Sequence, residues 1–83
     1  MAEVIFFASI RESLGCDRLS LEIPENTKVS TLIEMLTEVN GEAWREALTA
    51  ENVRIAVNQE LISGDETLSG ADEIAFFPPV TGG

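Results

Sequence analysis

Apolar and polar positions recur along this chain with two distinct periods, and the periods predict its elements. Val4 to Ile10, "VIFFASI", is rich in β-branched and aromatic residues and reads as a strand. Arg11 to Cys16, "RESLGC", contains the turn marker Gly15 and predicts a short helical turn. Leu19, Leu21 and Ile23 alternate with Ser20 and Glu22, the pattern of a half-buried strand, and Pro24 stops it. A short link between these two strands suggests a hairpin. The period then changes. Val29, Leu32, Ile33, Leu36 and Val39 follow the i, i+3, i+4, i+7 spacing that gathers apolar residues on one face of a helix. Thr27 suits its N-cap and Asn40-Gly41 its end.

Trp44, Ala47 and Leu48 share one face of a second, short helix. Met35 and Trp44 read as packing residues. Val53, Ile55 and Val57 alternate with Arg54 and Ala56 as another strand, Asn58-Gln59 forms a turn, and Leu61-Ile62 a short return strand. Ser63 to Glu73 is dense in turn residues, and Ile74 to Phe77 is the last strand. One good helix on one face of a mixed sheet is an α+β, two-layer arrangement. The domain spans residues 1–77, and residues 78–83 form a tail.

Strand side chains alternate faces, so Phe6-Phe7 and Phe76-Phe77 each send one ring to either side of the sheet. A single helix covers only one side. One ring of each pair therefore faces solvent unless a loop covers it, and an exposed apolar patch on a small domain marks an interaction site. Parity groups Phe6 with Val4 and Ala8, and Phe7 with Ile5 and Ser9. It does not say which set faces the helix.

Composition narrows the class. Eighty-three residues make one domain, which buries only about 60–65% of its unfolded surface. Fifteen Asp and Glu against five Lys and Arg give a formal net charge of −10. Such a chain is repelled by nucleic acid and by anionic membrane and is complementary to a basic protein partner. With Cys16 as the single cysteine and no histidine, an intrachain disulfide, a Cys/His zinc site and a histidine-based triad are excluded. The start, Met1-Ala2-Glu3, is not positively charged and the apolar run after it is too short to span a membrane, so a cytoplasmic location is expected.

The last stretch, "FFPPVTGG", has a distinct design. Pro78 and Pro79 lack an N–H and fix φ, which stops the strand and favours an extended path. The tail reaches at most about 20 Å. Gly82 and Gly83 have no Cβ and fit a channel that a larger residue would block. A terminal glycine carboxylate is sterically open to an acyl-activating enzyme. Adenylation by ATP turns it into a mixed anhydride, which a sulfur nucleophile can attack to leave a thiocarboxylate.

"VIFFASIRESLG", "AVNQEL" at Ala56 to Leu61 and "DEIAFFPPVTGG" at Asp72 to Gly83 resemble the small-subunit family of molybdopterin synthase, the sulfur carriers of molybdenum cofactor synthesis. The likeness covers essentially the whole chain. It implies a ubiquitin-like β-grasp fold, in which the first and last strands lie side by side in the sheet centre. It implies a protein that is not catalytic alone but is the sulfur-donating subunit of a heterotetramer. Gly83 would be the sulfur-bearing position and Gly82 its slim neighbour. Phe7, Leu61 and Phe77 match apolar contact positions, and Arg11 matches a basic one. Pro78, Pro79, Val80 and Thr81 would join the same partner interface. The implied partners are a large catalytic synthase subunit, a ubiquitin-activating-type adenylyltransferase that uses ATP, and indirectly a persulfide enzyme. No cofactor or metal bound by this chain is implied. Three alternatives stand beside this one: a carrier for thiazole synthesis, a protein modifier that forms isopeptide bonds, and a binding module with an inert tail.

Overall fold

A computed structural model describes residues 1–78. The elements run β1 (Ala2–Phe6), α1 (Ala8–Leu14), β2 (Arg18–Leu21), β3 (Thr27–Lys28), α2 (Val29–Asn40), α3 (Glu42–Leu48), β4 (Arg54–Val57), β5 (Glu60–Leu61), β6 (Thr67–Leu68) and β7 (Glu73–Phe77). Five strands form one mixed sheet in the order β2-β1-β7-β4-β5. In it β1 and β7 run parallel, with Phe6 beside Phe76, and the other neighbours are antiparallel. The strands β3 and β6 form a separate small pair. First and last strands are thus central, as the family resemblance implies.

The core lies between one sheet face and the helices. Ala2, Val4 and Phe6 of β1 and Ile74 and Phe76 of β7 are buried against Val29, Leu32, Ile33 and Leu36 of α2 and Trp44 and Leu48 of α3. Phe6 meets Trp44 edge-on at 5.3 Å between ring centroids and stacks on Phe76 at 5.9 Å. The choice that parity left open is settled: Phe6 and Phe76 point inward, Phe7 and Phe77 outward.

The structure corrects several sequence readings. The first strand ends at Phe6 rather than Ile10. Ala8 takes a left-handed φ of 52° and turns the chain out of the sheet, and α1 is a helix of seven residues, not a short helical turn. Ile10 reaches the core from that helix, so one apolar run serves two elements. Gly15, at φ 67°, ends α1 and donates its N–H to the Arg11 carbonyl at 2.9 Å. The strands β1 and β2 do pair antiparallel, but α1 joins them in place of a tight hairpin turn.

Thr27 is not the cap of α2. It is buried in β3, and its hydroxyl donates to the Pro24 carbonyl at 2.6 Å, while Lys28 holds the N-cap position without a capping side chain. Val39 shares the helical spacing but is 80% exposed. It is the penultimate residue of α2, in the last turn, beyond the cover of the core. Met35 is half-buried and Trp44 buried, in accord with packing roles. The turn-rich segment from Ser63 to Glu73 contains β6, which pairing with β3 alone defines.

Candidate functional site

The site is built on the sheet face that the helices leave open. Register fixes its membership. One row across the sheet is Arg18, Ile5, Ala75, Ala56 and Leu61, each a Cα partner of the next. Adjacent to it, Arg54 of β4 faces Phe77 of β7, and Phe7 follows the last residue of β1 on the same side. The Phe7 ring is 45% exposed and meets the half-buried Phe77 ring edge-on at 6.4 Å. Leu61 stands 68% exposed on β5 at the far edge. Between the rings and Leu61 lie the small side chains Ala75 and Ala56. The surface is therefore a shallow apolar depression with raised aromatic and aliphatic rims, the shape of a docking patch rather than a reaction pocket.

Local geometry explains why Phe7 is held out. Its N–H donates to the Phe76 carbonyl at 3.0 Å, continuing the ladder, while its carbonyl accepts from Ile10 and Arg11 N–H groups of α1 at 3.1 and 3.3 Å. The residue is thus pinned at the strand-to-helix switch. The conformation of Ala8 supplies the sharp turn. A left-handed non-glycine residue stores about 1–2 kcal/mol, and here it lies beside the candidate patch.

Charge near the patch departs from the acidic whole. Arg54 faces Phe77, Arg18 closes the other end of the row, and Arg11 is exposed on α1. Arg18 is committed to Glu3 at 2.8 Å. The Ser20 hydroxyl also donates to Glu3, and these two contacts, the serine first, hold the Glu3 carboxyl below the usual glutamate range. Arg11 and Arg54 have no ion-pair partner among the described residues.

Of the residues expected at the site, Phe7 and Phe77 are brought into contact. Leu61 lies on the same face two strands from Phe77. Arg11 sits on the helix that begins after Phe7. Pro78 is half-buried and lines a groove with Ile10, Ala47 and Val53 where β7 ends. Pro79, Val80, Thr81, Gly82 and Gly83 lie outside the described residues. Parity groups Ile5 with Phe7, whereas sequence reasoning missed Ala75 and Arg54 as members of the patch. Alternation placed them on strands, but only the register of three separate strands puts them on one surface. Cys16 is half-buried, with its thiol 3.5 Å from the Arg18 carbonyl, and takes no part in the patch. Among the described residues no helix is long and apolar enough to cross a membrane.

A mixed sheet with central parallel terminal strands, grasping a main helix, defines the ubiquitin-like β-grasp class. Within it, the chain belongs to the ThiS family, whose model matches residues 4–83. It is 39% identical to the molybdopterin synthase sulfur carrier subunit of Escherichia coli (strain K12), over the full length of both chains. It is 40% identical to the protein of that description from Haemophilus influenzae, again over both full lengths. Among solved structures, a Pyrococcus furiosus protein described as putative molybdopterin converting factor, subunit 1, superposes with a TM-score of 0.73 at 32% identity, covering 95% of this chain and 97% of that one. A chain of the Helicobacter pylori complex between subunits 1 and 2 of molybdopterin-converting factor superposes with a TM-score of 0.67 at 29% identity, covering 99% and 97%.

Proposed function

We propose that this chain is the sulfur carrier subunit of a molybdopterin synthase. The observation that carries the reading is the placement of two features. The strand β7 contributes Phe77 to the apolar patch and delivers the sequence directly into "PPVTGG". A partner seated on Phe7, Phe77 and Leu61 would then receive Gly82 and Gly83 within about 20 Å of chain. The relatives named as sulfur carrier subunits over the same full length support it.

In this reading the Gly83 carboxylate attacks the α-phosphate of ATP on an adenylyltransferase and pyrophosphate leaves. A persulfide sulfur of a second enzyme displaces AMP from the acyl carbon to give an acyl disulfide, and a thiol then cleaves its S–S bond, leaving the thiocarboxylate on Gly83 and a disulfide between that thiol and the persulfide-bearing cysteine. The loaded tail enters the large synthase subunit and gives its sulfur to cyclic pyranopterin monophosphate. The chain itself supplies no acid, base or metal. It supplies a docking face, a reach and an unhindered terminus. The acidity of the chain suits basic partner surfaces and raises association rates, and the work would take place in the cytoplasm.

Intact mass spectrometry of the protein from cells with a functioning activation pathway tests the reading. A species heavier by the difference between a sulfur and an oxygen atom, confined to the C-terminal peptide, is expected. Its absence after incubation with adenylyltransferase, ATP and a sulfur source would overturn the carrier role. Isopeptide adducts on other proteins would point to a modifier instead.

A further inference from the structure

The strand β2 forms one edge of the five-stranded sheet, and its outer side pairs with no strand among the described residues. The ladder fixes which backbone groups are free. The Phe6 N–H donates to the Asp17 carbonyl at 2.9 Å. By alternation Asp17, Leu19 and Leu21 turn their N–H and C=O toward β1, and Arg18 and Ser20 turn theirs outward; Glu22, the residue after β2, falls in the same outward register when the alternation is carried one residue on. The Arg18 carbonyl is approached only by the Cys16 thiol, a weak donor, at 3.5 Å.

Side chains along this edge divide by face. Leu19 and Leu21 are half-buried and, with Met35, Leu36 and the exposed Val39, border an apolar groove of 200 Å³ between β2 and α2. Arg18 and Ser20 are exposed on the opposite face, and Glu22, just past the end of β2, is exposed as well.

The segment Arg18-Leu19-Ser20-Leu21-Glu22 is complementary to itself when reversed about Ser20. Set antiparallel to a second copy, Arg18 faces Glu22, Leu19 faces Leu21, and Ser20 faces Ser20. Arg18, Ser20 and Glu22 are also the residues whose backbone groups point outward, so each hydrogen-bonding position meets another. Centring the pair on Arg18 or on Glu22 would oppose like charges, and centring it on either leucine would leave a charge facing a serine. We propose that the free edge of β2 binds a second copy of this chain, joining two sheets into one across a two-fold axis at Ser20. Charge selects this occupant. A chain of net charge −10 repels its copies, and this edge is a place where arginine meets glutamate twice. The leucine pairs and Val39 would cover the groove on the other face. Arg18 keeps Glu3 and has guanidinium donors left for Glu22 of the copy. Because β2 is the edge opposite β5, the pairing leaves Phe7, Phe77 and Leu61 open.

Sedimentation equilibrium of the full chain, at concentrations up to about 1 mM, tests this. A dimer mass is expected at the upper end. Arg18→Glu or Glu22→Arg alone turns both cross-strand pairs repulsive and should weaken association by about tenfold or more. The double variant R18E/E22R restores the pairs in exchanged positions and should recover it. Ser20→Pro removes an outward N–H without touching the β1 ladder and should also give monomer. It decides the matter should a charge reversal fail to fold. A monomer mass throughout the range, or a dimer unmoved by Glu22→Arg and Ser20→Pro, overturns the proposal.

Discussion

The Phe7 and Phe77 rings meet edge-on at 6.4 Å on the open face of the sheet, although they lie at opposite ends of the sequence. Parallel pairing of β1 with β7 produces the contact, since Phe6 beside Phe76 puts the next residue of each strand on the other side. With Phe7 exposed and Phe77 half-buried, the pair is proposed as a recognition surface more than a contributor to folding. Replacing Phe7 or Phe77 by alanine should weaken binding to the large synthase subunit by about 2 kcal/mol and change the melting temperature little for Phe7. Titration calorimetry of each variant against that subunit checks this, and unchanged affinity would remove the residue from the interface.

Phe6 supplies the opposite case one residue earlier. It is 1% exposed and packs against both Trp44 and Phe76. Phe6→Ala should cost about 3–5 kcal/mol through lost burial and the cavity left behind. In a domain with stability of about 5–15 kcal/mol, that leaves it close to unfolding. Urea denaturation of Phe6→Ala beside Phe7→Ala would show the contrast, and equal midpoints for the two would refute the inward-outward assignment.

How far the sequence could be read depends on the range of the interactions involved. The helix α2 was legible because Val29, Leu32, Ile33 and Leu36 repeat with its own period, a local signal. The strands β2 and β4 show as alternation and β1 as a run rich in β-branched and aromatic residues, signals that are local in the same way. The tail motif, all but Pro78 of which lies outside the described residues, reads as chemistry from sequence because its residues are contiguous. The N-terminal boundary of α2 was not. Thr27 has the right residue type, but its backbone belongs to the β3–β6 ladder and its hydroxyl to Pro24. The strand β6 itself has two residues and exists only through its partner. The switch at Ala8 was hidden because strand and helix share one apolar run. The candidate patch is legible only in part: Phe7 and Phe77 are singled out by type and resemblance, Leu61 by resemblance and Ile5 by its parity with Phe7, whereas Ala75 and Arg54 join only through register.

The backbone at Ala8 makes a separate prediction. Its φ of 52° disfavours any residue with a Cβ. Ala8→Gly relieves that cost but adds freedom to the unfolded chain, so the net gain should be about 0.5–1 kcal/mol. Ala8→Val, branched at the Cβ, should destabilise instead. Thermal melts of the two variants should shift in opposite directions. A loss of stability in Ala8→Gly would mean that the left-handed turn is not strained.

The cap of α2 comes from far along the chain, and it makes the stability pH-dependent. Asp65 accepts the Ser30 N–H at 2.8 Å and the Ser30 hydroxyl at 2.6 Å. The carboxylate lies at the first turn of the helix, where the dipole also favours negative charge. The hydroxyl bond first, then the backbone bond, hold the Asp65 carboxyl below the usual aspartate range. Its folded-state pKa is therefore lower than its unfolded one. The stabilisation is present in full above the unfolded value of about 4 and is lost as pH falls through the folded one. Glu3, lowered by Ser20 and Arg18, acts in the same direction. Melting temperatures measured from neutral pH down into the acid range should fall below about pH 4, and Asp65→Asn should melt lower at neutral pH and lose less on acidification. If Asp65→Asn kept the same acid profile as the parent chain, the capping role of the carboxylate would be wrong.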